Sequence, residues 1–381
     1  MQQDDIAKVF KEKFRNVPTI VRAPGRINFI GEHTDYNEGL VLPAAINREI
    51  WIALAPNQTD QCRLFSLDLK ESHSVSVDEL LPGKEWPNYI QGVLHGIKQI
   101  GFPLSGVDVV ISGNIPVGAG LSSSAALSCG FGVGYSHVFG LDLARLAVAK
   151  IGQYAEHNFV GVKCGIMDQY ASLFGKKNHA LLLDCKTLEH QAVPFDFPEL
   201  EILLVDTKVK HSLAESAYNN RREACELGLT VIRRKYDVSF LREVSPAMLN
   251  DMKEDFPDDI FRRCDYVVKE MERTRKAVQF LKQRDIKNFG KLLYETHEGL
   301  SRDYEVSCPE ADFLVNLAKA SRKIFGARMM GGGFGGCTIN LIEKDSTADF
   351  IDEVKHQYSE TFKKEPAFHV VSLADGVEVV A

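Results

Sequence analysis

The chain has 381 residues, 45% hydrophobic and 25% charged, a globular composition long enough for two cores that excludes a disordered or fibrous protein. A formal net charge of −7 excludes a broad electrostatic surface for nucleic acid or anionic lipid. The eight cysteines include no CxxC pair and the eleven histidines no HExxH pair, so common zinc and redox motifs are excluded and a cytosolic protein with reduced thiols is expected.

In chain order, Met1 to Asn16 carries Ile6, Val9, Phe10 and Phe14 at helical spacing and lacks a signal-peptide core. Thr19 to Arg22, Ile50 to Ala55, Cys62 to Ser66 and Val107 to Ser112 are apolar extended runs that predict strands. Asn88 to Ile100, Ser122 to Phe139 and Leu143 to Phe159 predict helices. Strands are expected again at His179 to Asp184 and Leu200 to Asp206. Helices follow at Leu213 to Tyr236, Asp259 to Arg284, Ile286 to Ser301 and Glu310 to Phe325. Strands return at Cys337 to Ile342 and Ala367 to Ser372. The fold class implied is α+β, with one domain over 1–195 and a second over 196–381, divided at a turn flanked by Pro194 and Pro198.

Val109 to Leu141 contains no Asp, Glu, Lys or Arg, yet Asn114, Pro116, Gly118 to Gly120 and three serines interrupt it, so a buried turn is expected and no membrane span. Within it, Pro116-Val117-Gly118-Ala119-Gly120-Leu121-Ser122-Ser123-Ser124-Ala125-Ala126 passes from strand end through a Gly-rich turn into an apolar helix. Glycines admit close backbone approach, and a helix opened by serines offers free N–H groups to an anion, phosphate above all. The bland reading is a serine-capped turn into a buried helix. No Gly-Lys-Ser/Thr follows, so it is no P-loop, and no glycine follows Ser122 by two, so it is no nucleophile elbow. A second stretch, Gly331 to Gly336, spells GxGxxG but leads into a strand, which rejects a dinucleotide fold and favours a loop closing over a ligand rather than a spacer.

Arg22 to Gly39 holds Glu32, His33, Thr34 and Asp35, donors and acceptors suited to sugar hydroxyls, although on its own this segment reads as a solvated turn. Together with the Pro116 to Ala126 and Met330 to Cys337 loops it stands in the order and spacing of the three motifs of the GHMP kinases, and the first segment closely resembles the galactokinase signature. Cys164 to Tyr170 and Tyr304 to Glu310 extend the resemblance over nearly the whole chain.

That resemblance implies a two-domain GHMP kinase fold, the second domain being helices on an antiparallel sheet, with the active site between the two. It implies transfer of the ATP γ-phosphoryl group to the C1 hydroxyl of galactose in galactose catabolism, by a cytoplasmic monomer needing neither membrane nor nucleic acid. Asp168 takes the place of the carboxylate beside the sugar O1 and Arg26 that of the arginine near it, whose bland reading is a structural ion pair. Glu32, His33, Thr34, Asp35, Gly165 and Tyr218 match sugar-binding positions. Gly118, Ala119, Gly120, Leu121, Ser122, Ser123 and Ser124 match the phosphate loop, with Ser66, Trp86 and Tyr89 as adenine contacts or ordinary core. Ser124 and Glu156 match the positions that hold Mg2+, although by spacing alone Glu156 is a surface carboxylate. Two other readings stand beside this one: an N-acetylgalactosamine kinase, and a non-catalytic galactose and ATP sensor. The intact Ser124-Ala125 pair beside Asp168 and Arg26 disfavours the sensor.

Overall fold

The computed structural model describes residues 3–83, 85–116, 118–209 and 214–381; Met1, Val117 and Leu213, named in the segments above, lie outside them. Helix α1 (Gln3–Phe14) has Asp4 and Asp5 in its first turn and Lys11 and Lys13 in its last, which suits the helix dipole, and buries Ile6 and Phe10. Strand β1 (Thr19–Asn28) continues beyond Arg22 through Pro24 and Gly25, because its register against the neighbouring strand shifts between Pro24 and Arg26. The two turn formers therefore sit in a bulge and do not end the strand. Strands β2 (Leu40–Val41), β3 (Pro43–Pro56), β4 (Gln61–Ser66) and β5 (Glu71–Ser76), helix α2 (Pro87–Gln99) and strand β6 (Val107–Gly113) follow.

The charge-free stretch supplies most of β6, from Val109 on, and helix α3 (Ser123–Phe139), which is apolar on every side because it is enclosed. A Cβ at Gly130 would meet Ala23 at 2.6 Å and one at Gly134 would meet Leu54 at 2.8 Å, so α3 lies directly on β1 and β3. Helix α4 (Arg145–Ala155) and helix α5 (Met167–Phe174) pack against it. The helix expected over Leu143 to Phe159 is thus shorter, and its end is a single π-helical turn, Glu156–Val160. Among the described residues no helix is long and apolar enough to cross a membrane.

Strands β7 (His179–Asp184), β8 (His190–Pro194) and β9 (Leu200–Asp206) lead to helices α6 (Ala214–Ile232), α7 (Pro246–Asp251), α8 (Asp258–Lys282), α9 (Ile286–Arg302) and α10 (Pro309–Ala320). Helix α10 stops five residues before Phe325, the expected end, because Ser321 is extended and the chain turns into strand β10 (Ile324–Met329). Gly326 lets β10 cross α9 at Gly290 with backbones almost touching. Strand β11 (Cys337–Glu343), helix α11 (Thr347–Phe362), strand β12 (Ala367–Val371) and strand β13 (Glu378–Val379) complete the chain. Helix α11 went unread although Phe350, Val354 and Tyr358, all buried, mark its inner face at i, i+4 and i+8.

The first sheet runs β13-β1-β3-β6-β4-β5 and is mixed, β4 lying parallel to β6. A second, β10-β11-β9-β12, is antiparallel throughout, and a third runs β2-β7-β8. Alternation along β9 sends Ile202 and Leu204 into the main core and Leu203 and Val205 into a core shared with α10 and α11. This is the α+β fold implied by the sequence, with a mixed sheet in the first half and helices on an antiparallel sheet in the second. The division expected at 195–196 falls between β8 and β9, and β13 returns to pair with β1.

Candidate active site

The bulge in β1 turns Arg26 toward the Gly-rich loop: its backbone N–H donates to Leu121 O (3.1 Å) and its Nη1 to Gly120 O (2.6 Å). Gly25 permits this, since a Cβ there would meet Leu121 O at 2.6 Å. Nε and Nη2 of Arg26 form a bidentate pair with Asp168, both bonds 2.8 Å, joining residues 142 positions apart. Asp168 stands in the first turn of α5, and Ser122 Oγ donates to its Oδ2. Burial opposes the charge on Arg26, but Asp168 and then Glu32 outweigh it and hold its pKa above the ordinary arginine value.

A cavity of about 540 Å³ opens here. Gly118, Gly120, Leu121, Ser122, Ser123 and Ser124 line one part of it, Glu32, His33, Asp35 and Tyr218 another, and Arg26, Asp168, Glu156 and Tyr89 also reach it. Helix α3 begins at Ser123, and the first N–H groups of a helix have no intrahelical partner. The serine loop is therefore a natural anion cradle, while the other part of the cavity is acidic and aromatic. Ser124 and Glu156 bring one hydroxyl and one buried carboxylate to the same space. Among the described residues no group of three or more His, Cys, Asp or Glu side chains forms a metal cage. This donor set fits an ion such as Mg2+ that leans on a ligand's phosphates and keeps waters.

Arg22 to Gly39 is not a solvated turn: Asn28, Glu32, His33 and Thr34 are all buried. A carboxylate so placed needs partners, and Glu32 Oε2 accepts from Arg328 Nη2 (2.6 Å) and Gly331 N (3.0 Å). Arg328, wholly buried in β10, also donates to Asn28 O (2.6 Å) and Phe29 O (2.9 Å). Thr34 Oγ1 is spent on Gly31 O and Leu40 O, which pins the turn and keeps the hydroxyl out of the cavity wall. Gly165 stands behind Asp35, where a Cβ would overlap the carboxylate. Ala119 is buried beneath the loop. Of the aromatic and serine candidates near β4 and α2, Tyr89 lines the cavity. Trp86 donates to Glu71 Oε2 (3.1 Å) and Ser66 Oγ accepts from Leu69 N (3.3 Å), both outside the cavity wall. Glu156 is no surface carboxylate; the π-helical turn brings it inward.

The second Gly-rich stretch is the loop of the β10–β11 hairpin, which is why no helix follows it. Its backbone rests on the first: a Cβ at Gly331 would lie 3.3 Å from Gly120 O, and one at Gly336 would lie 3.4 Å from Ala119 O. Gly332, Gly333 and Phe334 then reach the cavity. Sequence reasoning missed Arg328. The available signal was a single cation in the otherwise apolar strand Ile324–Met329, immediately before the glycines.

Burial first, and crowding of like charge second, set the acidic part. Burial, then Asp168 and Glu32, push the Asp35 carboxyl up to about 7. A carboxyl with an unfolded value near 4 that is raised in the fold adds stability below about pH 4, and this is lost as pH rises through about 7. Asp35→Asn, which copies the neutral form, is accordingly expected to raise the melting temperature at pH 8 and to change it little at pH 4. Equal shifts at both values would exclude Asp35 ionisation as the cause. Burial, aided by Arg221 and Arg328, lowers His33 to about 3, so its ring is neutral at working pH.

The family model of the galactokinase galactose-binding signature matches residues 8–56, the GHMP kinase N-terminal domain 88–176 and the GHMP kinase C-terminal domain 277–360. The galactokinase of Thermotoga neapolitana is 44% identical over 360 residues, covering 94% of this chain and 99% of that one. The crystal structure of Lactococcus lactis galactokinase complexed with galactose superimposes with a TM-score of 0.95 at 32% identity, covering 99% of each chain. A mevalonate kinase from Methanococcus jannaschii shares the fold, with a TM-score of 0.67 at 18% identity over 95% of this chain and 100% of that one. Matching along nearly its whole length to relatives of one kind, the chain belongs to the galactokinases, within the GHMP kinase family.

Proposed function

We propose that the protein transfers the γ-phosphoryl group of Mg-ATP to the C1 hydroxyl of α-D-galactose, giving galactose 1-phosphate and ADP, as a cytoplasmic monomer. One observation carries this reading: the Arg26–Asp168 pair is bonded on one side to the serine loop, through Gly120 O and Ser122, within a cavity that Glu32, His33 and Asp35 also line. The triphosphate lies along Gly118 to Ser124, against the α3 N-terminus. Galactose lies among Glu32, His33, Asp35 and Tyr218, its hydroxyls shared between carboxylate oxygens, the imidazole and the tyrosine hydroxyl.

In this geometry Asp168 accepts or orients the proton of the C1 hydroxyl, so that its oxygen faces the γ-phosphorus. Arg26 holds that carboxylate and places positive charge where negative charge grows on the transferring group. Tyr89 gives the nucleotide an aromatic face to pack on, and Gly165 and Thr34 keep the Asp35 turn in place. Ser124 and Glu156 would hold Mg2+, which when bound neutralises phosphate charge. Eight free cysteines, six of them buried, support a reducing compartment, and singly scattered exposed apolar side chains support a monomer.

The test compares galactose, N-acetylgalactosamine and other hexoses with Mg-ATP. Galactose is expected to have by far the largest kcat/KM. A higher value for N-acetylgalactosamine would overturn the sugar assignment, and sugar and ATP binding without turnover would make the protein a sensor.

A further inference from the structure

Glu32 reaches the cavity from a turn whose backbone is tightly constrained. Gly31, just before it, has φ +92°, and a Cβ there would meet Leu40 O at 2.6 Å and Thr274 Oγ1 at 3.1 Å. The turn therefore lies directly against helix α8. Gly31 N–H donates to Glu270 Oε1 (2.8 Å), and Tyr266 Oη donates to the Glu32 carbonyl (3.1 Å). Tyr266, Glu270 and Thr274 recur at i, i+4 and i+8, on one face of α8, and all three are buried.

A carboxylate removed from water is costly unless donors surround it. Glu270 is wholly buried and well supplied: Oε2 accepts from Arg273 Nε (2.7 Å), and Thr296 Oγ1 lies 2.9 Å from Oε2 and 3.2 Å from Oε1. The bonds to the turn leave no choice of direction, since a backbone N–H only donates and a carbonyl only accepts. We infer that Glu270 and Tyr266 are positioning residues for the sugar, clamping the backbone on both sides of the Glu32 Cα so that its carboxylate enters the cavity at a fixed place. Neither lines the cavity, so both act through Glu32, whose side chain is held separately by Arg328 and Gly331. These four partners all come from the second half of the chain, whereas Asp168 is bonded to Arg26 and Ser122 in the first. Helix α8 thus sets where the sugar carboxylate stands relative to the reacting one.

The kinetic consequence rests on the galactose reading; the clamp itself is measurable without a sugar. In the unliganded protein, amide hydrogen exchange at Gly31, followed by NMR, is expected to quicken about 10-fold or more in Glu270→Leu, which removes its acceptor. The KM for galactose then rises about 10-fold, with kcat within about threefold and the KM for ATP unchanged. Tyr266→Phe, which loses one hydroxyl and keeps the ring, is expected to raise the same KM by about threefold to 10-fold, and carries the test should Glu270→Leu not fold. Val267→Ala opens a cavity in the same helix and leaves both bonds intact, so it is expected to lower stability with that KM unchanged. Unchanged Gly31 exchange in Glu270→Leu would overturn the clamp. A galactose KM that Val267→Ala raises equally, or that Glu270→Leu leaves alone while His33→Ala raises it, would overturn the positioning role. Quickened exchange with no change in any hexose's KM, in these variants or in His33→Ala, would instead sink the galactose reading and leave the clamp standing.

Discussion

Asp168→Ala is expected to lower kcat by about 100- to 10,000-fold while nucleotide affinity changes by no more than a few-fold. The size follows from what is lost together. Asp168 is the carboxylate proposed to receive or orient the C1 proton, and it is also the group that holds Arg26 by two 2.8 Å bonds and accepts from Ser122. Nucleotide binding survives because the Gly118 to Ser124 loop has its own support: Arg26 Nη1 bonds Gly120 O, and the β10–β11 hairpin lies behind it. Asp168→Asn separates the two roles, since an amide oxygen still accepts from Arg26 but cannot take a proton. Single-turnover phosphorylation measured beside calorimetric titration with Mg-ADP reads both quantities. Either variant keeping more than about a tenth of the wild-type rate would place the chemistry elsewhere.

Arg328→Met is expected to cost about 3–5 kcal/mol of stability, the penalty of leaving a buried carboxylate without its cation. Arg328 and Glu32 are almost wholly buried and 2.6 Å apart, so solvent screens neither. The same guanidinium closes the ends of two backbone carbonyls, Asn28 O and Phe29 O, which water cannot reach in its place. Denaturant unfolding of the single variant and of Arg328→Met with Glu32→Gln forms the check. The double variant should recover a substantial part of the loss, because a neutral amide does not need the cation. A single-variant loss below about 1 kcal/mol would mean that Glu32 finds another partner. Glu32 Oε2 is held by Arg328 and Gly331, so the proposed sugar contact of Glu32 is expected to weaken together with stability.

Local chemistry made much of this legible. The apolar runs at His179–Asp184 and Leu200–Asp206 coincide with β7 and β9, and the glycine–serine pattern does stand between β6 and a buried helix. Where local preference and tertiary packing disagree, sequence reading fell short. Pro24 and Gly25 look like the end of a strand and instead make the bulge that aims Arg26. Glu156 at the end of a helical pattern looks solvated until the helix widens beneath it. Arg328 could not be linked to Glu32 by any local rule, because the two are 296 positions apart and meet only when β10 reaches the end of β1. The pairing of Arg26 with Asp168 came from the family resemblance and not from spacing.

The stacking of one glycine loop on the other has a consequence for how the protein is made. Gly118 to Gly120 leaves the ribosome early, whereas the hairpin that backs it, Met330 to Gly336, is translated near the end. At about 5–20 residues per second the nascent chain holds this loop by Arg26 alone, without its hairpin backing, for roughly 10–40 s. The second half of the loop's support is thus added only when the chain is almost complete.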